Sequence, residues 1–204
     1  LNQEKLRKAG RSLLLPLVGL LVRVGVSAFA VTVFGLAVTA VAAWLIWEGS
    51  YIPGAVVLIF GSVLDAVDGE IARRRQAVSK SGAVLDSSCD RIGETLILGA
   101  LLAGTAGASH PSLVYLVPAA LGGSFMVSYI RARAEGVGLS CSVGILTRTE
   151  RLVLLIAGIV ASGLWDDRAA VIMLAVLAAG AWITVVQRLV KVMSDGRGVP
   201  LDGK

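Results

Sequence analysis

Charge is what this chain has least of. Only 16% of its 204 residues are Asp, Glu, Lys or Arg, whereas a soluble domain of this length carries about 25%. Cysteine is nearly missing, with Cys89 and Cys141 alone, which excludes a disulfide framework. There is a single histidine, His110, and it falls in a short loop remote from the acidic residues, where it reads as solvated. No internal repeat, low-complexity tract or soluble domain interrupts the chain. What fills it is apolar: 56% of residues are hydrophobic and the mean hydropathy is +0.82. That composition describes one membrane domain. The net charge of +5 does not point to nucleic acid, because the basic residues are interleaved with long apolar runs. An anionic membrane surface or an anionic substrate accounts for them better.

Crossing a bilayer takes roughly 20 apolar residues per helix. Six runs qualify: Ala28–Trp47, Ile52–Ala72, Gly82–Gly107, Leu113–Ile130, Leu152–Leu164 with its flanks, and Ala169–Val190. The predicted fold is therefore all-α and integral to the membrane. Ahead of the spans, residues 2–23 carry Lys5, Arg7, Lys8 and Arg11, then an apolar stretch too short to cross and interrupted by Pro16. This predicts an amphipathic helix on the cytoplasmic surface. A cleaved secretion signal ending at Ala28-Phe29-Ala30 is the weaker alternative, because Arg23 breaks the apolar run before that site. With the N-terminus inside, 18 of the 19 Lys and Arg residues fall on the cytoplasmic side and only Arg168 outside, as the positive-inside rule requires. Both termini are then cytoplasmic, and the tail 194–204 reads as loose. Trp44, Trp47, Tyr51 and Trp165 collect at external boundaries, like an aromatic belt. Gly99, Ala103, Gly158 and Ser162 suit close helix packing or a dimer face.

The chemistry lies in the second and third spans. Asp65 and Asp68 are three residues apart, Asp86 and Asp90 four apart, so each pair shares a helix face. The connection from Arg73 to Ser81 turns the chain back and lets the two acidic faces meet near the cytoplasmic ends. An aspartate at mid-membrane costs about 2.5–3.5 kcal/mol, so four must face a polar interior. Two of them about 4 Å apart repel by about 4 kcal/mol at an effective dielectric near 20. Protonation or arginine would relieve this. Divalent cations with oxygen ligands, Mg²⁺, Mn²⁺ or Ca²⁺, relieve it best, and two would balance four carboxylates. A structural cluster or an ion pathway is the plainer alternative, but neither calls for Gly69, Gly82 and Arg73 beside the acids. Glycine admits a bulky ligand to the backbone and arginine clamps phosphate. Cys89 lies between Asp86 and Asp90 and is expected to turn away from them as a packing residue. Cys141 reads as an ordinary loop thiol.

Asp65, Asp68, Gly69, Ala72, Arg73, Gly82, Asp86 and Asp90 fill every fixed position of D-x2-D-G-x2-A-R-x8-G-x3-D-x3-D, and so the chain resembles the CDP-alcohol phosphotransferase family. The resemblance implies that Asp65, Asp68 and Asp86 hold two divalent ions, Mg²⁺ or Mn²⁺. It implies that Asp90 also meets a metal and is the catalytic base on the acceptor hydroxyl. Gly69, Ala72, Arg73 and Gly82 would lie against the CDP moiety of a CDP-lipid donor. The family's usual entry to the first span is replaced here by Ser27-Ala28-Phe29, while Thr32 remains as a further donor contact. Homodimerisation is part of the same expectation.

A second basic set follows the later spans. Arg148 and Arg151 are three apart and share a face, Arg188 ends an apolar span with no acidic neighbour, and Glu135 and Glu150 are available to orient arginines. Converging arginines bind phosphate through charge-assisted, often bidentate hydrogen bonds, so the acceptor alcohol is expected to be a phosphorylated polyol. Ser128–Glu135, Arg148–Leu152 and Val186–Leu189 resemble the inositol-phosphate-using branch of the family, which implies Arg131, Arg133, Arg151 and Arg188 as its phosphate ligands. Glycerol phosphate is the alternative acceptor within the family. A cation or proton transporter is the alternative outside it.

Overall fold

The structure, a computed structural model, describes residues 15–75 and 79–197. Among the described residues there is no strand. The helices are α1 (Leu15–Val24), α2 (Ala28–Trp47), α3 (Tyr51–Arg74), α4 (Lys80–Ala103), α5 (Thr105–Ser109), α6 (Leu113–Gly136), α7 (Arg148–Leu164) and α8 (Arg168–Asp195). By length and composition, α2, α6 and α8 are apolar enough to cross a membrane.

Local chemistry sets the helix starts. Ser27 caps α2 by accepting from the Ala30 N–H at 3.1 Å, and Ser79 caps α4 by accepting from the Gly82 N–H at 3.0 Å. Each satisfies one of the donors a helix start leaves unpaired. The expected third span, Gly82–Gly107, ends early. Gly104 adopts an extended conformation, so α4 stops at Ala103 and α5 starts anew, and the Gly104 backbone lies so close to Trp47 that a Cβ there would collide with the Trp47 carbonyl oxygen. At the other end of the chain, α8 runs on through Ser194 and Asp195, two residues expected in the loose tail. The basic start of the predicted surface helix, 2–14, and residues 198–204 of the tail lie outside the described residues.

Packing places α2 against both α3 and α4, while α6 lies on α8, and α7 on α8 and α3. The helices α3 and α4 make little direct contact with each other, which leaves space between their acid-bearing ends. One large core joins α2, α3, α4, α6, α7 and α8 through residues such as Ile46, Leu98, Leu113, Ile159 and Leu174. A smaller core joins α1 to α2 and α3 through Val18, Val31, Val67 and Ile71. A third joins α6 and α8 to the 137–147 loop, through Ile130, Cys141 and Val185. Cys141 is thus a buried packing residue.

Glycine sets how closely α7 and α8 approach. A Cβ on Gly158 would collide with the Met173 side chain, so Gly158 serves packing within the chain. Ser162 donates to the Gly158 carbonyl at 2.8 Å. Gly99 has open space around it. Tyr51 is buried, its hydroxyl 3.0 Å from that of Thr105, whereas Trp44, Trp47 and Trp165 are exposed. Overpacking a tight contact costs about 1–3 kcal/mol. Gly158→Ala is therefore expected to lower the unfolding temperature in detergent. A wild-type melting curve would show that α7 and α8 are not held this closely.

Candidate active site

The C-terminal end of α3 and the N-terminal end of α4 lie at the same end of the bundle because the chain reverses between them. There the ligand oxygens of Asp65, Asp68 and Asp86 all lie within 4.8 Å of one another. Asp68 is 5% exposed and accepts a 2.6 Å hydrogen bond from the Thr32 hydroxyl. Thr32, on the first turns of α2, reaches it because α2 packs against α3. Asp90 faces the same space from α4 and pairs with Arg91 at 3.3 Å. A cavity of about 120 Å³ opens there, with Asp65, Asp68, Asp90, Glu94, Arg148 and Arg151 on its polar wall. Cys89 lines it too. The cavity is broad enough to take in the residue next to Asp90, so the expectation that Cys89 turns away does not hold.

Arg148 organises the acids. Its Nη2 donates to Asp65 Oδ2 at 2.9 Å and also to Asp90 Oδ1, joining α3 to α4 from the first residue of α7. Asp68 and Asp86 have no cationic partner within ion-pair distance among the described residues. Four carboxylates thus share two nearby guanidiniums, and the cluster remains net negative. Hard oxygen donors at this spacing, with charge left to balance, fit Mg²⁺ or Mn²⁺.

The donor-side candidates lie around this cluster. Gly69 and Ala72 are half-buried on α3, and Gly82 is exposed at the start of α4. Arg73 pairs with the buried Glu70 through Nη2 at 2.8 Å and Nε at 3.1 Å. A Cβ at Gly69 would lie in ordinary van der Waals contact with its guanidinium, so Arg73 runs beside the backbone of the glycine. Arg75 donates to the Val22 and Gly25 carbonyls at 2.9 and 3.4 Å. These are carbonyls at the C-terminus of α1, where a cation is favoured.

The acceptor-side arginines are brought together less uniformly. Arg151 is buried, its Nε 3.3 Å from Glu94 Oε1. Arg188 is buried and donates from Nε to the Val143 carbonyl at 2.9 Å and from Nη1 to the Val127 carbonyl at 2.5 Å. Two of its nitrogens therefore hold the 137–147 loop against α6. Arg131 and Arg151 both lie close enough for their charges to act on Arg188. Arg131 pairs with Glu135 at 2.8 Å, and Arg133 is exposed on the same helix end. The loop is further tied to α8 by Leu146 N–H donating to Thr184 at 3.0 Å and Ile145 N–H to Gln187 at 3.1 Å. Gly144, at φ +139°, sits where a side chain would strike Thr184. This loop sets where Arg148 and Arg151 begin.

Sequence reasoning missed two residues: Arg148 as the bridge between acids, and Glu94. The spacing that put Arg148 and Arg151 on one face was a signal, and so was Glu94 four residues beyond Asp90, but neither revealed a cross-helix partner. His110, at the opposite end of the helices, is not merely solvated. Its Nε2 lies 2.7 Å from Asp167 Oδ1, and that hydrogen bond holds the Asp167 carboxyl below its usual value.

Comparison with known proteins gives a consistent neighbourhood. A family model described as CDP-alcohol phosphatidyltransferase matches residues 26–190. Archaetidylinositol phosphate synthase of Methanothermobacter thermautotrophicus is 38% identical over 173 residues, 83% of this chain and 85% of that one. Phosphatidylinositol phosphate synthase of Mycobacteroides abscessus is 35% identical over 181 residues, 85% of this chain and 80% of that one. The crystal structure of the Mycobacterium tuberculosis phosphatidylinositol phosphate synthase with CDP-DAG bound superimposes with a TM-score of 0.81 at 34% identity, covering 88% of this chain and 92% of that one. The same enzyme in complex with manganese and citrate gives 0.80 at 34% identity, covering 88% of each chain.

The Arg148 bridge is directly testable. Its side chain is 48% exposed, so solvent screening limits its worth to about 1 kcal/mol. Arg148→Gln is expected to lower the unfolding temperature by a few degrees in EDTA. An unchanged temperature would mean that the bridge does not form.

Proposed function

The chain belongs to the CDP-alcohol phosphatidyltransferase family, and we propose that it transfers a phosphatidyl group from CDP-diacylglycerol, or an ether-lipid analogue, to inositol phosphate. It is a membrane protein and a transferase. The observation that carries the reading is the grouping of Asp65, Asp68 and Asp86 within 4.8 Å beside a cavity whose wall holds Asp90 and the arginines Arg91, Arg148 and Arg151. Relatives named for inositol phosphate products support that acceptor.

Asp65, Asp68 and Asp86, with Asp90, would hold two divalent ions, Mg²⁺ or Mn²⁺. Bound there, the ions supply positive charge to the diphosphate of the donor. Gly69, Ala72, Gly82 and Arg73 border the CDP moiety, with Arg73 held by Glu70, while Thr32 fixes the Asp68 carboxylate. Asp90 takes the proton from the attacking hydroxyl. That oxygen forms a bond to the lipid-side phosphorus, the bridging P–O bond breaks, and CMP leaves. Arg131, Arg133 and Arg151, with Arg188 behind them, hold the acceptor's phosphate.

The six helices α2, α3, α4, α6, α7 and α8 span the bilayer, preceded by α1 on the membrane surface. The chain forms a single domain over 1–204. Its active site and both termini face the cytoplasm, the side that receives all basic residues but Arg168. Two chains pair as a homodimer, as the family resemblance implies.

The purified chain, given CDP-diacylglycerol, Mn²⁺ and each acceptor in turn, is expected to release CMP with inositol phosphate. Release with glycerol phosphate alone would move the assignment to that acceptor, and no release with any would end it. Loss of a general base costs about 10²–10⁴ in rate. Asp90→Asn should therefore lose that much turnover while still binding Mn²⁺ and the CDP-lipid, and retained turnover would remove Asp90 from the role.

A further inference from the structure

Glu94 follows Asp90 by one helical turn, so both carboxylates look into the same cavity from one face of α4. Its partner is Arg151, whose Nε lies 3.3 Å from Glu94 Oε1. Arg151 is 4% exposed, and a guanidinium this buried needs a carboxylate or other hydrogen-bond acceptors to offset its desolvation. Among the described residues Glu94 is the acid that meets it within ion-pair distance. The contact runs through Nε alone. Nη1 reaches the Leu146 carbonyl at 3.5 Å, and Nη2 has no hydrogen-bond acceptor among the described residues. Arg148, three residues earlier on the same face, is committed to Asp65 and Asp90. The two arginines thus divide the acids between them, and Arg151 is kept off the aspartates. Arg188 feels the charge of Arg151 and that of Arg131.

We propose that Glu94 is the positioning residue of the acceptor site: its carboxylate holds Arg151 by the Nε edge and so turns the Nη2 edge toward the phosphate of the acceptor alcohol. This rests on the reading of the chain as a transferase with a phosphorylated acceptor. Four residues of helix rise about 6 Å. That separates the Asp90 base from the Glu94–Arg151 pair by roughly the span between a reacting hydroxyl and the phosphate of a small polyol phosphate.

The test uses the full purified chain with whichever phosphorylated acceptor supports CMP release, and compares Glu94→Gln, Glu94→Asp, Arg151→Lys and the Glu94→Gln/Arg151→Lys double variant. Hydrogen bonds between ionised partners are among the stronger ones in proteins. Glu94→Gln is therefore expected to raise the acceptor KM about tenfold or more, with kcat and the CDP-lipid KM within about twofold of wild type. Glu94→Asp should recover part of the loss. In the double variant, losing Glu94 should add little to the effect of Arg151→Lys, because one residue acts through the other. Equal rises in both KM values, a loss confined to kcat, or additive effects in the double variant would each overturn the proposal. If Glu94→Gln fails to fold, Glu94→Asp and Arg151→Lys carry the comparison, and an unchanged acceptor KM in both overturns it. A wild-type chain that releases CMP normally while Glu94→Gln leaves the acceptor KM unchanged sinks this inference alone. A wild-type chain that releases no CMP with any acceptor sinks the functional reading, and this inference falls with it.

Discussion

Mutual repulsion among four aspartates is the constraint on which the rest of this structure depends. Asp65, Asp68, Asp86 and Asp90 come from two helices that barely touch, so no direct packing of one on the other holds them together. The bundle does so indirectly. The helix α2 packs on both α3 and α4 and sends Thr32 to Asp68 at 2.6 Å. On the other side, α7 packs on α3 and sends Arg148 to Asp65 and Asp90. Apolar packing sets the spacing between the helices, while the hydrogen bonds orient the carboxylates. Such an arrangement leaves negative charge unbalanced, and that residual charge makes the site one for cations and, through them, for a diphosphate.

The arginines are not one population. Arg73 is paired with a buried glutamate beside the donor-side glycine. Arg75 caps a short helix through the Val22 and Gly25 carbonyls. Arg148 bridges acids, Arg151 leans on Glu94, and Arg188 bonds the loop through Nε and α6 through Nη1. Arg131 and Arg133 are exposed at the end of α6, with Arg131 paired to Glu135. A buried guanidinium must satisfy its donors, so the more deeply an arginine is placed, the more of its hydrogen bonds go to the protein and the fewer to a substrate. That gradation separates arginines that build the acceptor site from those positioned to touch its occupant.

The loop before α7 links these two groups. It is stitched to α8 by Thr184 and Gln187 and to α6 through Arg188. From it α7 begins with Arg148 and Arg151, so one loop sets both an acid bridge and an acceptor-side arginine. Gly144, held at positive φ against Thr184, leaves the space for this close approach.

Sequence alone determined the helical class, the apolar runs, the two acidic faces and their companions Gly69, Arg73 and Gly82. These follow from periodicity and spacing within single helices, which local chemistry controls. It determined less well where helices stop. The break at Gly104 falls where its backbone passes close against Trp47 across the turn, and Tyr51 is buried with a hydroxyl partner 54 residues away. Only the tertiary structure decided that Arg148 belongs to the acids, that Arg151 belongs to Glu94 and that Arg188 serves a loop. Each of those pairings joins residues 45 to 83 apart in the chain. A charge in a sequence shows that a partner is needed, and only the packing of helices settles which partner is near.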